Sequence, residues 1–147
     1  EPWMPWVEGT RAVGDTAAYC ADQQRAWEEF RQFDFGIRDR VDDRYLGNVG
    51  VHHLDWTHRN GELGYWLRTD AWGHGLMTEA ASLLRDALFD LGLARLEIRC
   101  DPNNLASAGV AERLGFAREG VLRSQLSRGG LRRDTAIYAS LAGEHEG

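Results

Sequence analysis

The amino-acid sequence predicts an α+β fold, a mixed β-sheet that is antiparallel except for one central parallel pair and is flanked by helices. Before residue 70, three segments with strand-like alternation follow one another through short polar turns. After it, a leucine-rich helical stripe stands between two strand-like segments, the pattern of a βαβ unit with parallel outer strands. The length of 147 residues and the apolar share of 43% fit one domain, residues 1–147, with one core.

The first part of the chain predicts one helix and an antiparallel meander. Residues 15–32 carry a mostly apolar stripe at spacings of three and four, and Asp15 or Thr16 can cap the helix. The stripe comprises Ala18, Cys20 or Ala21, Gln24, Trp27 and Phe30 or Arg31. Residues 33–39, 45–54 and 62–69 are predicted strands, and the short loops between them make them antiparallel neighbours.

The second part predicts two helices and three strands. A helix over residues 76–91 is followed by a strand over 93–101, and a shorter helix over 105–114 can be capped by Asn104. The stripe of the longer helix comprises Leu76, Ala80, Leu83, Leu84, Ala87, Leu88 and Leu91. Two last strands, over about 116–127 and 131–141, are predicted to pair around the glycine turn at 128–130.

The composition excludes several functions. All 17 basic residues are arginine, so the chain has no lysine for a Walker-A phosphate site, a kinase or a Schiff base. A net charge of −6 argues against nucleic-acid binding, and no apolar run approaches the roughly 18 residues of a membrane span. Cys20 and Cys100 belong to no paired motif, which favours a reducing, cytoplasmic setting. The oligomeric state is not readable, and a homodimer stays among the alternatives.

The glycine-rich turn at residues 72–78, WGHGLMT, stands between a predicted strand and a predicted helix. Its two glycines let a backbone approach a ligand closely, and the free N–H groups of the helix start suit a phosphate or pyrophosphate. The alternative is that Gly73 and Gly75 only shape a tight turn. A dinucleotide fingerprint is a weak fit, because Thr78 stands where its third glycine belongs.

Several ordered segments resemble the GNAT superfamily of acyl-CoA-dependent N-acyltransferases. They are GELGYWL, WGHGLMTEA, LARLEIRCDPNNLAS and VAERLGFAREGVLR, and with the WMPW opening they are most similar to the RimJ/RimL subgroup of ribosomal-protein N-terminal acetyltransferases. The resemblance implies acetyl-CoA as co-substrate, bound where the central parallel strands splay. It also implies a strand and a helix ahead of WMPW, so the chain is expected to lack its first elements.

The resemblance implies a set of cofactor-binding residues. The backbone of Trp66, Leu67 and Arg68 is expected to pair with the pantetheine arm, and Asn104 to contact it. The turn that holds the pyrophosphate corresponds to Trp72, Gly73, His74, Gly75, Leu76, Met77 and Thr78. Gly75 fits the family's glycine, whereas tryptophan at 72 and methionine at 77 depart from its Gln/Arg and Gly/Ala positions.

The resemblance also implies the catalytic residues. Ser107, in an Asn-x-x-Ser motif, is expected near the thiol as acid or thiolate stabiliser, because Ala111 stands where many relatives have a tyrosine. Glu62 matches a catalytic glutamate that assists amine deprotonation, and Leu126 stands where some relatives carry another glutamate. Capping by Asn104 and a solvent-facing Glu62 are the structural alternatives. The implied activity is acetyl transfer to a primary amine, of a protein N-terminus or a small molecule, by direct attack.

A different class of function stays open, a non-catalytic acyl-CoA-binding or sensing module on the same scaffold. No metal site is predicted. His52 and His53 are adjacent in a predicted strand and are expected to point to opposite faces, and no converging carboxylates or thiols accompany His58.

Overall fold

In the part of the chain that the structure describes, the central element is a six-stranded sheet. The computed structural model describes residues 13–144, with side chains from residue 17, so the WMPW segment lies outside the described residues. The strands are β1 (Phe33–Arg38), β2 (Tyr45–Asp55), β3 (Asn60–Leu67), β4 (Arg95–Cys100), β5 (Ala117–Arg128) and β6 (Leu131–Leu141). The helices are α1 (Val13–Glu28), α2 (Leu76–Asp90) and α3 (Leu105–Arg113), with a 3₁₀ turn at Thr69–Ala71.

The strand order confirms the predicted mixed sheet. The strands lie in the order β1-β2-β3-β4-β6-β5, and β3 and β4 are the parallel pair among antiparallel neighbours. Their pairing begins at Asn60 with Arg95 and ends at Leu63 with Ile98. Since β3 continues to Leu67 and β4 to Cys100, the two strands separate beyond this point, and we call the space between them the cleft.

Helices α2 and α3 cover one side of the sheet, which we call the helix face. Met77, Ala81 and Leu88 of α2 and Ala111 of α3 are buried in one core with Leu63, Leu96 and Ile98 of the sheet. The predicted stripe of α2 is shifted, because Leu83 and Leu91 are exposed and Met77 and Ala81 are buried instead. Among the described helices, none is long and apolar enough to cross a bilayer.

Helix α1 differs from its prediction. It spans Val13–Glu28, so Asp15 and Thr16 fall inside its first turn instead of capping it. The predicted stripe is largely exposed, and the one fully buried side chain in the described part of the helix is Ala26. Helix α1 lies at the edge of the sheet, where the Trp27 ring meets the rings of Phe33 and Phe35 edge-on at 4.9 and 5.1 Å.

The outer strand β5 is irregular. Its pairing with β6 shifts register between Arg118 and Gly120 and again between Leu122 and Leu126, and Ser124 in the second interruption has a φ of 53°. All but the last of its residues are exposed. The predicted hairpin turn is confirmed, because β5 and β6 close with Arg128 opposite Leu131 around two glycines of positive φ.

Candidate functional site

The cleft exposes backbone groups that no strand satisfies. The Arg68 N–H donates to the Leu46 carbonyl of β2 at 2.8 Å. Because successive residues of a strand point their N–H and C=O groups to opposite sides, those of Tyr65 and Leu67 face the cleft. The Leu67 carbonyl accepts a hydrogen bond from the Trp72 indole at 2.8 Å. Unpaired backbone groups at a strand edge cost free energy. An extended ligand with amide groups could therefore pair with the backbone groups of β3 that remain open.

The glycine-rich turn leads from the cleft to the start of α2. Gly73 and Gly75 have φ angles of 80° and 73°, in the left-handed region that glycine adopts most easily. Gly75 caps α2, and its carbonyl accepts the first helical bond from Glu79 at 3.0 Å. The N–H groups of Leu76, Met77 and Thr78 therefore have no acceptor within the helix, which makes this end suited to an anion.

The side chains of the turn leave these amides accessible. Met77 points into the core, and the indole of Trp72 folds back on Leu67. The Thr78 hydroxyl accepts a hydrogen bond from Arg113 Nε of α3 at 3.2 Å. Arg113 therefore places a cation beside the start of α2, where it would complement a bound phosphate.

Ser107 and Tyr65 link α3 to β3 on the helix face. The Tyr65 hydroxyl donates to the Ser107 carbonyl at 3.0 Å, and Ser107 Oγ lies 3.3 Å from the Tyr65 hydroxyl. The Asn104 side chain accepts from the Ser107 N–H at 3.2 Å, which is the predicted helix cap. Burial raises the pKa of Tyr65 well above its usual range, so its phenol stays protonated. Burial also raises the pKa of the neighbouring Cys100 thiol.

Glu62 lies on the opposite side of the sheet, which we call the Glu62 face, one residue before the strands separate. Its Oε2 is 3.0 Å from His53 Nδ1 and 3.7 Å from Arg99 Nε. The side chain is 25% exposed. An open pocket of about 400 Å³ adjoins it and includes Asp55, Glu97 and Arg99 in its lining. The pocket is polar, with three carboxylates against one guanidinium, and it could receive a cationic group.

The two adjacent histidines do not point to opposite faces as predicted. His52 is the cross-strand partner of Glu62, and the bond from His53 to Glu62 places both rings on the Glu62 face. The reason is that His53 has a φ of 49°, where the pairing of β2 with β3 becomes irregular, so the alternation of the strand is broken. Within residues 13–144, no group of three or more His, Cys, Asp or Glu side chains could hold a metal ion.

In the structure, the predicted site residues lie around the cleft, at both of its ends and on both faces of the sheet. Glu62 lies at its narrow end, and residues 72–78 lie at its wide end, with Ser107 and Asn104 on the helix face. Sequence reasoning missed Tyr65, Arg113 and His52. Of these three, only Tyr65 could have been found from a sequence pattern, because its alternation with Leu63 and Leu67 places it on the helix face. The positions of His52 and Arg113 depend on contacts between distant segments.

Comparison with known proteins identifies the family. The sequence profile described as the acetyltransferase (GNAT) domain matches residues 1–117. A Bacillus subtilis (strain 168) protein, provisionally named ribosomal N-acetyltransferase YdaF, is 32% identical over 127 residues, which are 86% of this chain and 68% of that protein. The chain thus spans about two thirds of the length of this relative.

Two solved structures share the fold closely and carry forms of coenzyme A. Mycobacterium smegmatis RimJ in complex with CoA-disulfide has a TM-score of 0.89 and 27% identity, covering 100% of this chain and 72% of RimJ. The Microcin C7 self immunity acetyltransferase MccE, in complex with acetyl-CoA and AMP, has a TM-score of 0.89 and 25% identity, covering 95% of this chain and 77% of MccE. With the profile match and the splayed parallel pair, these findings show that the chain belongs to the GNAT family of acetyltransferases, whose co-substrate is acetyl-CoA.

Proposed function

We propose that this protein transfers the acetyl group of acetyl-CoA to the α-amine of a peptide or protein. The observation that carries the proposal is the continuous path from the cleft, with its open strand edge, to the start of α2, whose free N–H groups suit an anion. A molecule with a strand-like amide arm and a pyrophosphate matches both parts. The name of YdaF supports a ribosomal protein as acceptor, and two free cysteines suit a reducing, cytoplasmic setting.

The proposed binding of acetyl-CoA uses mostly backbone groups. Residues 66–68 provide the strand along which the pantetheine arm lies, and within it Leu67 offers its N–H to the cleft. The amides of residues 73–78, with Gly73, His74 and Gly75 at the bend after Trp72, would hold the pyrophosphate at the positive end of the α2 dipole. Asn104, which caps α3, would contact the pantetheine arm. Lysine is dispensable in such a site.

The proposed reaction is a direct attack of the neutral amine on the thioester. Deprotonating an α-amine at pH 7 costs about 1 kcal/mol, against about 4.6 kcal/mol for a lysine side chain, so a terminal amine needs less assistance. The Glu62 carboxylate, oriented by His53 and Arg99, would attract the amine and stabilise the positive charge on its nitrogen. Ser107, on the other side of the cleft, would donate a hydrogen bond to the departing thiolate.

The proposal is tested by titrating acetyl-CoA and CoA calorimetrically and by following thiol release with a panel of amines. The panel contains short peptides with different free N-terminal residues, the same peptides with acetylated N-termini, and a free lysine side-chain amine. We expect binding of both cofactors and turnover of free N-termini alone. Binding without turnover of any amine would support the alternative, a sensing module, and binding of neither cofactor would exclude both.

A glycine substitution tests the pyrophosphate turn separately. Gly75→Ala forces an alanine into the left-handed region at a cost of about 1–2 kcal/mol, although a Cβ there would meet no atom within 4 Å. Because the turn can relax by moving its amides, we expect acetyl-CoA affinity to fall about tenfold. Calorimetry provides the measurement. Gly143→Ala is the matched control, with a φ of 91° and equally open surroundings outside the site. An equal loss of affinity in both variants would contradict this role for Gly75.

A further inference from the structure

A histidine–aspartate pair lies on the Glu62 face beside the narrow end of the cleft. His52 Nε2 is 3.1 Å from Asp34 Oδ1, and the same oxygen accepts from the Asn48 amide at 3.2 Å. The second oxygen of Asp34 accepts from Gln32 Nε2 at 3.2 Å. With its carboxylate held by three donors, Asp34 fixes the plane of the imidazole and keeps the proton of the neutral ring on Nε2.

The free edge of the His52 ring lies over Gly64. A Cβ added to Gly64 would meet His52 Cε1 at 3.0 Å and Nδ1 at 3.1 Å, so only glycine leaves this space to the ring. Gly64 follows Leu63, the last residue of β3 that pairs with β4, and is therefore the first residue of the cleft. Nδ1 has no hydrogen-bond partner among the described residues, and the side chain is 34% exposed.

Glu62 is less available as a proton acceptor than His52. Its Oε2 already accepts from His53 at 3.0 Å and lies 3.7 Å from Arg99 Nε, so this oxygen is engaged by two neighbours. His52 is held on one nitrogen only and presents the other as a lone pair. The two side chains are cross-strand neighbours, so a nitrogen attracted by Glu62 lies near the imidazole as well.

We infer that His52 is the general base of the reaction, with Asp34 as its positioning residue. The inference rests on the proposed acetyl transfer and leaves to Glu62 the electrostatic attraction of the amine. As the amine nitrogen forms its bond to the thioester carbonyl carbon, His52 Nδ1 takes the proton from that nitrogen. The C–S bond breaks with its electron pair passing to sulfur, and the thiolate takes a proton from solvent. His52 returns its proton to solvent.

The charges around His52 suit this role. Among the described residues, those that act on it are Asp34 on β1 and Glu62 on β3. The hydrogen bond to Asp34 raises the pKa of His52 above 6.5, burial opposes the shift, and the negative charges of Asp34 and Glu62 add to it. The upward shift makes the neutral imidazole a stronger proton acceptor than a free histidine side chain.

The test is the pH–rate profile of His52→Gln and Asp34→Asn, measured with the peptide that the panel turns over fastest. His52→Gln should lower kcat about 100-fold and abolish the part of the acid limb that His52 governs. Asp34→Asn keeps the acceptor oxygen and removes the charge, so the pKa of His52 falls and the acid limb moves to lower pH. The ionisation of the peptide amine contributes the same part of the acid limb in every variant, so a difference between variants reports on His52.

The matched control is His58→Gln, since His58 pairs with Asp55 at 2.7 Å in the turn after β2 and is 72% exposed. It should keep the wild-type profile. An unchanged acid limb in Asp34→Asn, or wild-type kcat in His52→Gln, overturns the inference. Calorimetry with acetyl-CoA verifies that each variant is folded. If His52→Gln does not bind acetyl-CoA, the position of the acid limb in the pH–rate profile of Asp34→Asn tests the inference instead. Failure of the wild-type protein to release thiol with any amine would instead count against the proposed function.

Discussion

The variant Glu62→Gln is expected to lower kcat for acetyl transfer about 100-fold while leaving acetyl-CoA affinity unchanged. Glutamine preserves the shape of the side chain but removes the negative charge that His53 and Arg99 orient. A positive charge develops on the nitrogen during the attack, so its stabilisation by Glu62 is lost mainly in the transition state. A 100-fold decrease corresponds to about 2.7 kcal/mol in activation free energy.

Thiol release at saturating acetyl-CoA and peptide gives kcat, and calorimetry gives the cofactor affinity. Glu28→Gln is the matched control, because Glu28 is an exposed glutamate at the end of α1. A kcat of Glu62→Gln within about twofold of the control, a difference below about 0.5 kcal/mol, would remove Glu62 from the mechanism. His52 remains in this variant, so the acid limb of the pH–rate profile should persist. The limb should move to lower pH, because Glu62 is one of the charges that raise the pKa of His52.

The variant Leu96→Ala is expected to lower the free energy of unfolding by about 2–5 kcal/mol. Leu96 is fully buried near the start of β4, between Gly61 of β3 and Ser140 of β6. Truncation removes apolar contacts and leaves a cavity under the parallel pair, which the surrounding strands cannot fill without shifting their register. Domains are stable by only about 5–15 kcal/mol, so the loss is a large fraction of the total.

Urea denaturation measures this change as a lower midpoint with an unchanged slope. Leu131→Ala is the control, because Leu131 lies in the β5–β6 hairpin and is 70% exposed, and it should change the unfolding free energy by less than about 0.5 kcal/mol. Similar losses in the two leucine variants would show that the core does not centre on β4.

Local patterns predict this fold well where burial and periodicity coincide. The leucines around residues 83–91 correctly predicted α2. They misplaced its buried side, since Leu83 and Leu91 are exposed whereas Met77 and Ala81 are buried. The glycines of the turn at 72–78 and the cap at Asn104 were readable since each acts within a few residues of its partner. Helix α1 was harder to predict, because its described part packs mainly through Ala26 and through the Trp27 ring at the edge of the sheet.

The contacts that complete the candidate site join segments distant in sequence. His52 meets Asp34 across 18 positions, Arg113 meets Thr78 across 35, and Tyr65 meets Ser107 across 42. Nothing in the local pattern of any of these residues specifies its partner. The break in alternation at His53 is similar, since a non-glycine residue of positive φ inside a strand has no signature in the sequence.

The irregular outer strand β5 has a consequence for the behaviour of the protein at high concentration. A regular edge strand offers a row of free N–H and C=O groups on which another chain can pair, which is a route to aggregation. Here two shifts of register interrupt that row, and Arg118 and Arg123 add charge along it. The longest exposed edge of the sheet is thereby a poor template for intermolecular β-sheet growth, although it displays Val121, Leu122 and Leu126 to solvent.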